Sequence, residues 1–195
     1  MVDPKAVRIF FDRLAPQWDA DMIRDDAVID RILDNARVTA GTRVLDVACG
    51  TGVLIPDYLK RNTASVTAID LSPEMVRIAR QKFPEPNVTI LCGDVEQTRF
   101  DDRFDRIVVY NALPHFADVR RLIRTLSALL ESGGVLTVAH GMSREAINRH
   151  HQCTGSAISD ELMPIETLAA IVRESLTLTA AISDARMYQA VGIKQ

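Results

Sequence analysis

Cysteine is scarce in this chain. Its 195 residues include three, Cys49, Cys92 and Cys153, an odd number far apart in sequence, which argues against a disulfide framework and reads as reduced thiols in a cytoplasm. Cys49 and Cys92 read as packing residues without chemistry. The opening residues, Met1-Val2-Asp3-Pro4-Lys5, offer no apolar signal-peptide region, and no uncharged apolar run approaches the roughly 18 residues needed to span a bilayer. Export and membrane spanning are not expected. Basic charge is also in short supply: 23 Lys and Arg stand against 26 Asp and Glu, a formal net charge of −3. A protein that holds phosphate backbones usually carries a basic patch or stripe, so nucleic acid is not an expected partner, and Arg120, Arg121 and Arg124 read as the solvated face of a helix. Repeats, low-complexity tracts and Gly/Ser linkers are absent. What remains is a globular composition, 47% hydrophobic and 25% charged, long enough to bury a core without staples and expected to be one domain over residues 1–195.

What is present is alternation. Short β-branched runs at Arg43 to Val47, Ser65 to Ile69, Val88 to Leu91, Asp105 to Tyr110 and Val135 to Ala139 are separated by stretches with apolar residues three and four apart, at Val53 to Arg61, Pro73 to Phe83 and Val119 to Leu130. That is the pattern of a parallel sheet covered by helices. Ser72-Pro73-Glu74 is a helix start, with Ser72 as N-cap and proline at the first helical position, and Ser132-Gly133-Gly134 is a helix stop. Residues 1–40 read as a cap of one or two amphipathic helices, with a break at Pro16 before Trp18. Residues 41–140 form the core. Residues 141–195 hold a long connection, a capped helix entering at Ser143, a second helix after Met163-Pro164, and two alternating strands, Leu176 to Ser183 and Met187 to Ile193. The expected fold is α/β: a Rossmann-like, doubly wound seven-stranded sheet, mostly parallel, with a C-terminal antiparallel hairpin and a helical N-terminal cap.

In such a sheet the ligand sits beyond the carboxyl ends of the strands, where strand order reverses. After the first strand comes Asp46-Val47-Ala48-Cys49-Gly50-Thr51-Gly52, a glycine-rich turn running into a helix. Its glycines let backbone N–H groups approach a ligand and favour a negative group. Asp70 closes the second strand twenty residues beyond Gly50, a spacing that suits a carboxylate accepting from ribose hydroxyls. After the third strand, in Cys92-Gly93-Asp94-Val95, Asp94 can accept from an adenine amine while Val95 packs on the ring. An adenosine-containing ligand is implied. A dinucleotide fingerprint would need glycine at position 55, where the chain has Ile55, which weakens a nicotinamide reading.

The runs Val44 to Gly52, Ile69-Asp70-Leu71-Ser72-Pro73-Glu74-Met75, Gly93-Asp94-Val95 and Phe104-Asp105-Arg106-Ile107 closely resemble the class I S-adenosylmethionine-dependent methyltransferases, over about residues 1 to 140. Phe10 to Asp19 looks like the cap of the quinone C-methyltransferase-like branch. The resemblance implies that Asp46, Ala48, Gly50 and Gly52 surround the methionine portion, Asp70 holds the ribose, Leu71 and Met75 line its pocket, Asp94 and Val95 hold the adenine, and Asn111 lines the cavity. Ala48 stands where many members have glycine. It implies S-adenosylmethionine as cofactor and methyl transfer to a small-molecule acceptor; oligomeric state is not legible.

Several residues carry two readings. Asp46 either contacts the ligand or orients the turn by accepting backbone N–H groups. Phe11 and Trp18 either bury a cap-helix face or cover cofactor and substrate, since an aromatic face attracts a sulfonium. His115, after the fourth strand, is either the catalytic general base beside the acceptor or a structural histidine in its turn. His140 and His150 are candidates for shaping the substrate site. Together with His151 and Cys153 they could ligate a metal, but the spacing is not a zinc motif and adjacent histidines point apart, so no metal is expected. The rival functions are a non-catalytic S-adenosylmethionine-binding or metal-sensing module and a nicotinamide oxidoreductase.

Overall fold

The computed structural model describes residues 2–151 and 157–195. Among these, seven strands form one sheet: β1 (Arg43–Val47), β2 (Ser65–Asp70), β3 (Val88–Cys92), β4 (Phe104–Tyr110), β5 (Leu130–His140), β6 (Thr177–Ser183) and β7 (Tyr188–Ile193). Their order is β3-β2-β1-β4-β5-β7-β6. β1 to β5 pair in parallel and β7 pairs antiparallel with both β5 and β6, as the strand pattern predicts. Strand order reverses at β1, so the crevice opens beyond β1 and β4.

Strand alternation sorts side chains to two faces. Val44, Val66, Ala68 and Val108 pack with Ile29, Ile32 and Leu33 of α2 (Asp26–Asn35), Tyr58 of α3 (Ile55–Lys60), and Val76 and Ala79 of α4 (Pro73–Lys82). Leu45, Val47, Ile107 and Val109 pack on the other face with Leu122 and Leu126 of α5 (Val119–Leu129) and Leu168 and Val172 of α7 (Ile165–Arg173). Between β5 and α7 lies α6 (Arg144–His151), and Ser143 Oγ accepts its Ala146 N–H at 3.2 Å.

Two local expectations need correction. The Ser132-Gly133-Gly134 stop lies inside β5: α5 ends at Leu129, and the register jumps so that Phe104 faces Leu130 while Arg106 faces Val135. Lys194 explains the difference, because its backbone brackets this stretch, accepting from Gly133 and donating to Gly134 at 2.9 Å each. The break at Pro16 does not occur either. One helix, α1 (Pro4–Asp21), runs through it. A helix-interior proline costs about 3 kcal/mol, and here the helix is anchored on both sides of it. Asp12 accepts from Ser72 Oγ at 2.6 Å, while Asp19 accepts from Thr51 Oγ1 at 2.5 Å and Lys82 Nζ at 2.7 Å. These bonds lay α1 across the carboxyl ends of β1 and β2.

Candidate active site

The crevice under α1 is a cavity of about 410 Å³, within the range of small-molecule sites. Its floor is the turn after β1 and the ends of β2 and β3: Ala48, Gly50, Asp70, Leu71, Met75, Asp94 and Val95 all line it, as does Asn111 after β4. Its roof is the inner stripe of α1, including Phe11 and Trp18, and its far wall carries His115 and Phe116. Thus most of the residues proposed from sequence for cofactor, cover and base line one space, Asp46 and Gly52 excepted.

The turn is built by positive φ angles at Ala48 (56°), Gly50 (56°) and Gly52 (88°). At position 48 an L side chain adopts the left-handed region that glycine prefers, which is the physical content of the alanine-for-glycine departure. The carboxylate that orients the turn is Asp70, whose Oδ2 accepts the Gly50 N–H at 2.7 Å and whose Oδ1 accepts Ser72 N–H at 2.8 Å. Burial pushes the Asp70 pKa up, and these two N–H donors pull against it. Each oxygen keeps a second lone pair for a ribose hydroxyl.

Asp46 stands elsewhere. It is 2% exposed, does not line the cavity, and points to the α3 face beside Tyr58. Its Oδ2 has no hydrogen-bond partner among the described residues. Burial pushes its pKa up to about 8, partly offset by the Tyr58 hydroxyl. Gly52 also lies off the cavity wall; its Cβ position is 2.5 Å from the Phe83 ring and 2.9 Å from Ile55 Cδ1, so its size is dictated by packing under the turn. Asp94 Oδ1 accepts from Glu96 N–H at 2.9 Å and Oδ2 from Gln97 Nε2 at 2.6 Å, ordering the loop after β3. Asn111, with φ of 54°, accepts Gly141 N–H at 2.9 Å and so ties the ends of β4 and β5 together.

His115 sits in a short 3₁₀ turn, Leu113–His115, stacked edge to face with Phe11 at 4.9 Å. Its Nδ1 lies 2.9 Å from the Ile158 carbonyl. A carbonyl can only accept, so Nδ1 carries the proton and the neutral ring holds its lone pair on Nε2. Burial lowers the His115 pKa, with the Ile158 bond opposing. His140, 1% exposed, packs its ring 6.0 Å from Tyr188 and does not line the cavity. The side chains of His150 and His151, and all of Cys153, lie outside the described residues. Sequence reading passed over Arg8 and Leu14 as wall residues, and over Ile23 and Met142 at the wall, 94% and 41% exposed. The signal for the first two was the helical stripe of α1; the others come from connections with no periodicity to read.

Against known proteins, residues 44–134 match the methyltransferase domain family. The chain is 33% identical over 139 residues to the malonyl-[acyl-carrier protein] O-methyltransferase of Acetivibrio thermocellus, covering 70% of this chain and 49% of that protein. It is 32% identical over 151 residues to the demethylmenaquinone methyltransferase of Chlorobaculum tepidum, covering 70% and 60%. The chain belongs to the class I S-adenosylmethionine-dependent methyltransferases. The chain spans roughly half the length of the curated relatives it matches. Its fold is that of a chain in the complex between the Haloferax volcanii Trm112 methyltransferase activator and a methyltransferase, with a TM-score of 0.83, 20% identity, and coverage of 96% of this chain and 97% of that one. The family cofactor is S-adenosylmethionine, and the cavity suits it: a glycine turn, two carboxylates at the ends of β2 and β3, and an aromatic roof. Among the described residues no helix is long and apolar enough to cross a membrane, and no group of three or more His, Cys, Asp or Glu side chains could hold a metal.

Proposed function

We propose that this methyltransferase transfers a methyl group from S-adenosylmethionine to a small, largely apolar acceptor, with His115 as the general base. The observation that carries this reading is the single cavity that joins the glycine turn and Asp70 to an aromatic and aliphatic wall containing His115. In this reading Asp70 binds the ribose, Asp94 and Val95 the adenine, and Ala48 and Gly50 the methionine portion, on the 41–140 core. Residues 1–40 and 141–195 shape the acceptor side.

When bound, the cofactor supplies an electrophilic methyl on a sulfonium that leaves as a neutral thioether. The chain need only hold the nucleophile in line, exclude water and take a proton. Phe11, Leu14 and Phe116 exclude water and seat an apolar body, and His115 Nε2 accepts the proton of an acceptor hydroxyl, thiol or acidic carbon while Ile158 holds the ring. Exposed Ile23 and Met142 at the cavity wall favour an apolar acceptor. The demethylmenaquinone named for one relative is of this kind. A cytoplasmic location fits the free thiols of Cys49 and Cys92. No observation favours the rivals: Ile55 occupies the third fingerprint position, fully buried at the start of α3.

Calorimetric titration with S-adenosylmethionine, S-adenosylhomocysteine and NADH tests the reading, followed by transfer of labelled methyl to a panel of quinone, phenol, thiol and carboxylate acceptors. Micromolar binding of the first two and labelling of an apolar acceptor are expected. Binding of NADH alone overturns the proposal.

A further inference from the structure

The fold treats the three tyrosines of the sequence differently. Tyr58 and Tyr188 are fully buried in the packing of the two sheet faces. Tyr110, the last residue of β4, lines the cavity. Its hydroxyl lies over the backbone of Gly141, just past β5, where a Cβ would collide with the phenol oxygen and stand 3.3 Å from the ring carbon that bears it. Glycine at this position is what leaves room for the hydroxyl. The backbone around it is held in place by Asn111, which donates its N–H to the Ala139 carbonyl and accepts the Gly141 N–H on Oδ1, at 2.9 Å each. Asn111 does so at a φ of 54°, an uncommon conformation for a residue with a side chain.

The direction of the bonds leaves the Tyr110 proton available. Burial raises the Tyr110 pKa, while a hydrogen bond from the Asn111 side chain and the charge of Arg24 oppose it. The phenol therefore keeps its proton at neutral pH. A bond that lowers the pKa is one donated to the oxygen, and with Oδ1 turned to Gly141 the Asn111 amide has Nδ2 to give. The Tyr110 O–H is then left to donate elsewhere. Arg24, which lines the same end of the cavity, is committed to the protein: Nε donates to Asp26, Nη1 to the Val53 carbonyl and Nη2 to both oxygens of Asp57. Ile29, Val53 and Met142 supply apolar wall there, surroundings in which a hydrogen bond counts for more than in water.

We propose that the Tyr110 hydroxyl donates a hydrogen bond to an oxygen of the methyl acceptor, which makes the preferred acceptor a phenol or enol rather than a thiol. This rests on the proposed function and names the acceptor class within it. The acceptor O–H gives its proton to His115 Nε2. The electron pair left on that oxygen, or on a carbon conjugated with it, forms the bond to the methyl, and the methyl–sulfur bond breaks with its pair staying on sulfur. A donor already seated at the oxygen favours the anion as it forms. Sulfur, a weak hydrogen-bond acceptor, gains little from the same donor.

The test compares the full chain with Tyr110→Phe, which removes the hydroxyl alone. Both are titrated with S-adenosylhomocysteine by calorimetry and assayed for transfer of labelled methyl to naphthol and to naphthalenethiol, a pair that differs only in the acceptor atom. The ratio of kcat/KM for the naphthol to that for the thiol should fall by about 10-fold to about 100-fold in Tyr110→Phe, while S-adenosylhomocysteine affinity stays close to that of the unsubstituted chain. Gly141→Ala, which keeps the hydroxyl but pushes it off its seat, should lower the same ratio and carries the test should Tyr110→Phe not fold. An unchanged ratio overturns the inference and leaves the proposed function standing. So does a loss of S-adenosylhomocysteine affinity as large as the loss on naphthol, which would make Tyr110 part of the cofactor site. Labelling of the thiol alone, or of neither compound, by an unsubstituted chain that binds S-adenosylhomocysteine also overturns it. Failure of that chain to bind S-adenosylmethionine and S-adenosylhomocysteine overturns the proposed function and this inference with it.

Discussion

The Asp70 carboxylate accepts the backbone N–H of Gly50 at 2.7 Å, joining the end of β2 to the turn that follows β1. A residue read from sequence as a ligand holder is thus also the clasp that shapes the neighbouring loop. Under the proposed function, ligand binding and local order share one side chain.

Asp70→Ala should therefore lower both thermal stability and cofactor affinity. It leaves the N–H groups of Gly50 and Ser72 without their acceptor. Hydrogen bonds to charged groups contribute about 1.5–3 kcal/mol, so S-adenosylhomocysteine affinity should fall by about tenfold or more in calorimetry. Asp70→Asn, which keeps one acceptor oxygen, should fall between the two. An Asp70→Ala protein with unchanged melting temperature and affinity would contradict the clasp.

Asp46 predicts an unusual pH dependence of stability. Its pKa lies at about 8 in the folded chain against an ordinary 3.8, because burial disfavours the charged form. Between these values the folded state binds more protons than the unfolded one, so this group's contribution is fully present below pH 3.8 and is lost as pH rises to about 8. Asp46→Asn, which resembles the neutral acid, should flatten this slope. Its melting temperature should exceed that of the unsubstituted chain at pH 8.5 and approach it at acidic pH, measured by calorimetric scanning.

His115 should titrate below its ordinary value of 6.5, because burial lowers its pKa. Methyl transfer should hold steady through neutral pH and decline only at more acidic values as the ring gains a proton. His115→Ala should reduce kcat by roughly 10²–10⁴ while leaving S-adenosylhomocysteine affinity nearly unchanged. Equal losses in kcat and in nucleoside affinity would reassign His115 to the shape of the wall.

Gly52 should tolerate no side chain. Gly52→Ala adds a methyl 2.5 Å from the Phe83 ring at a φ of 88°, and strain plus overpacking typically cost about 1–3 kcal/mol. A drop of roughly 4–8 °C in melting temperature is expected for a loss of about 2 kcal/mol in a chain of this size. Gly41, with φ of 79° and nothing within 4 Å of its Cβ position, should show the smaller cost of backbone strain alone.

The strands were readable because short apolar, β-branched runs such as Val44 to Val47 and Val66 to Ile69 suit parallel strands buried on both faces, a property of the chain itself. So was the cavity floor, because Gly50, Asp70, Asp94 and Val95 follow or end strands whose spacing already puts them at one edge of the sheet. The failures have a common origin. Pro16 stays helical and Gly133 enters a strand because Ser72, Thr51 and Lys194, far away in sequence, supply bonds that local propensity cannot foresee. Residues 41–52 carried their own instructions, since a tight turn is decided by which backbone angles its residues can reach. The roof over that turn was decided only in three dimensions: the same apolar spacing in α1 fits a buried face or a cavity wall. The bonds of Asp12 and Asp19 to the turn after β1 and to the two ends of α4 choose between them. Asp46 and Asp70 make the same point. Both are strand aspartates, yet the pleat and the reversal of strand order send one beneath α3, where burial pushes its pKa up to about 8, and the other to the cavity at the carboxyl edge of the sheet, where backbone N–H groups oppose the rise that burial imposes.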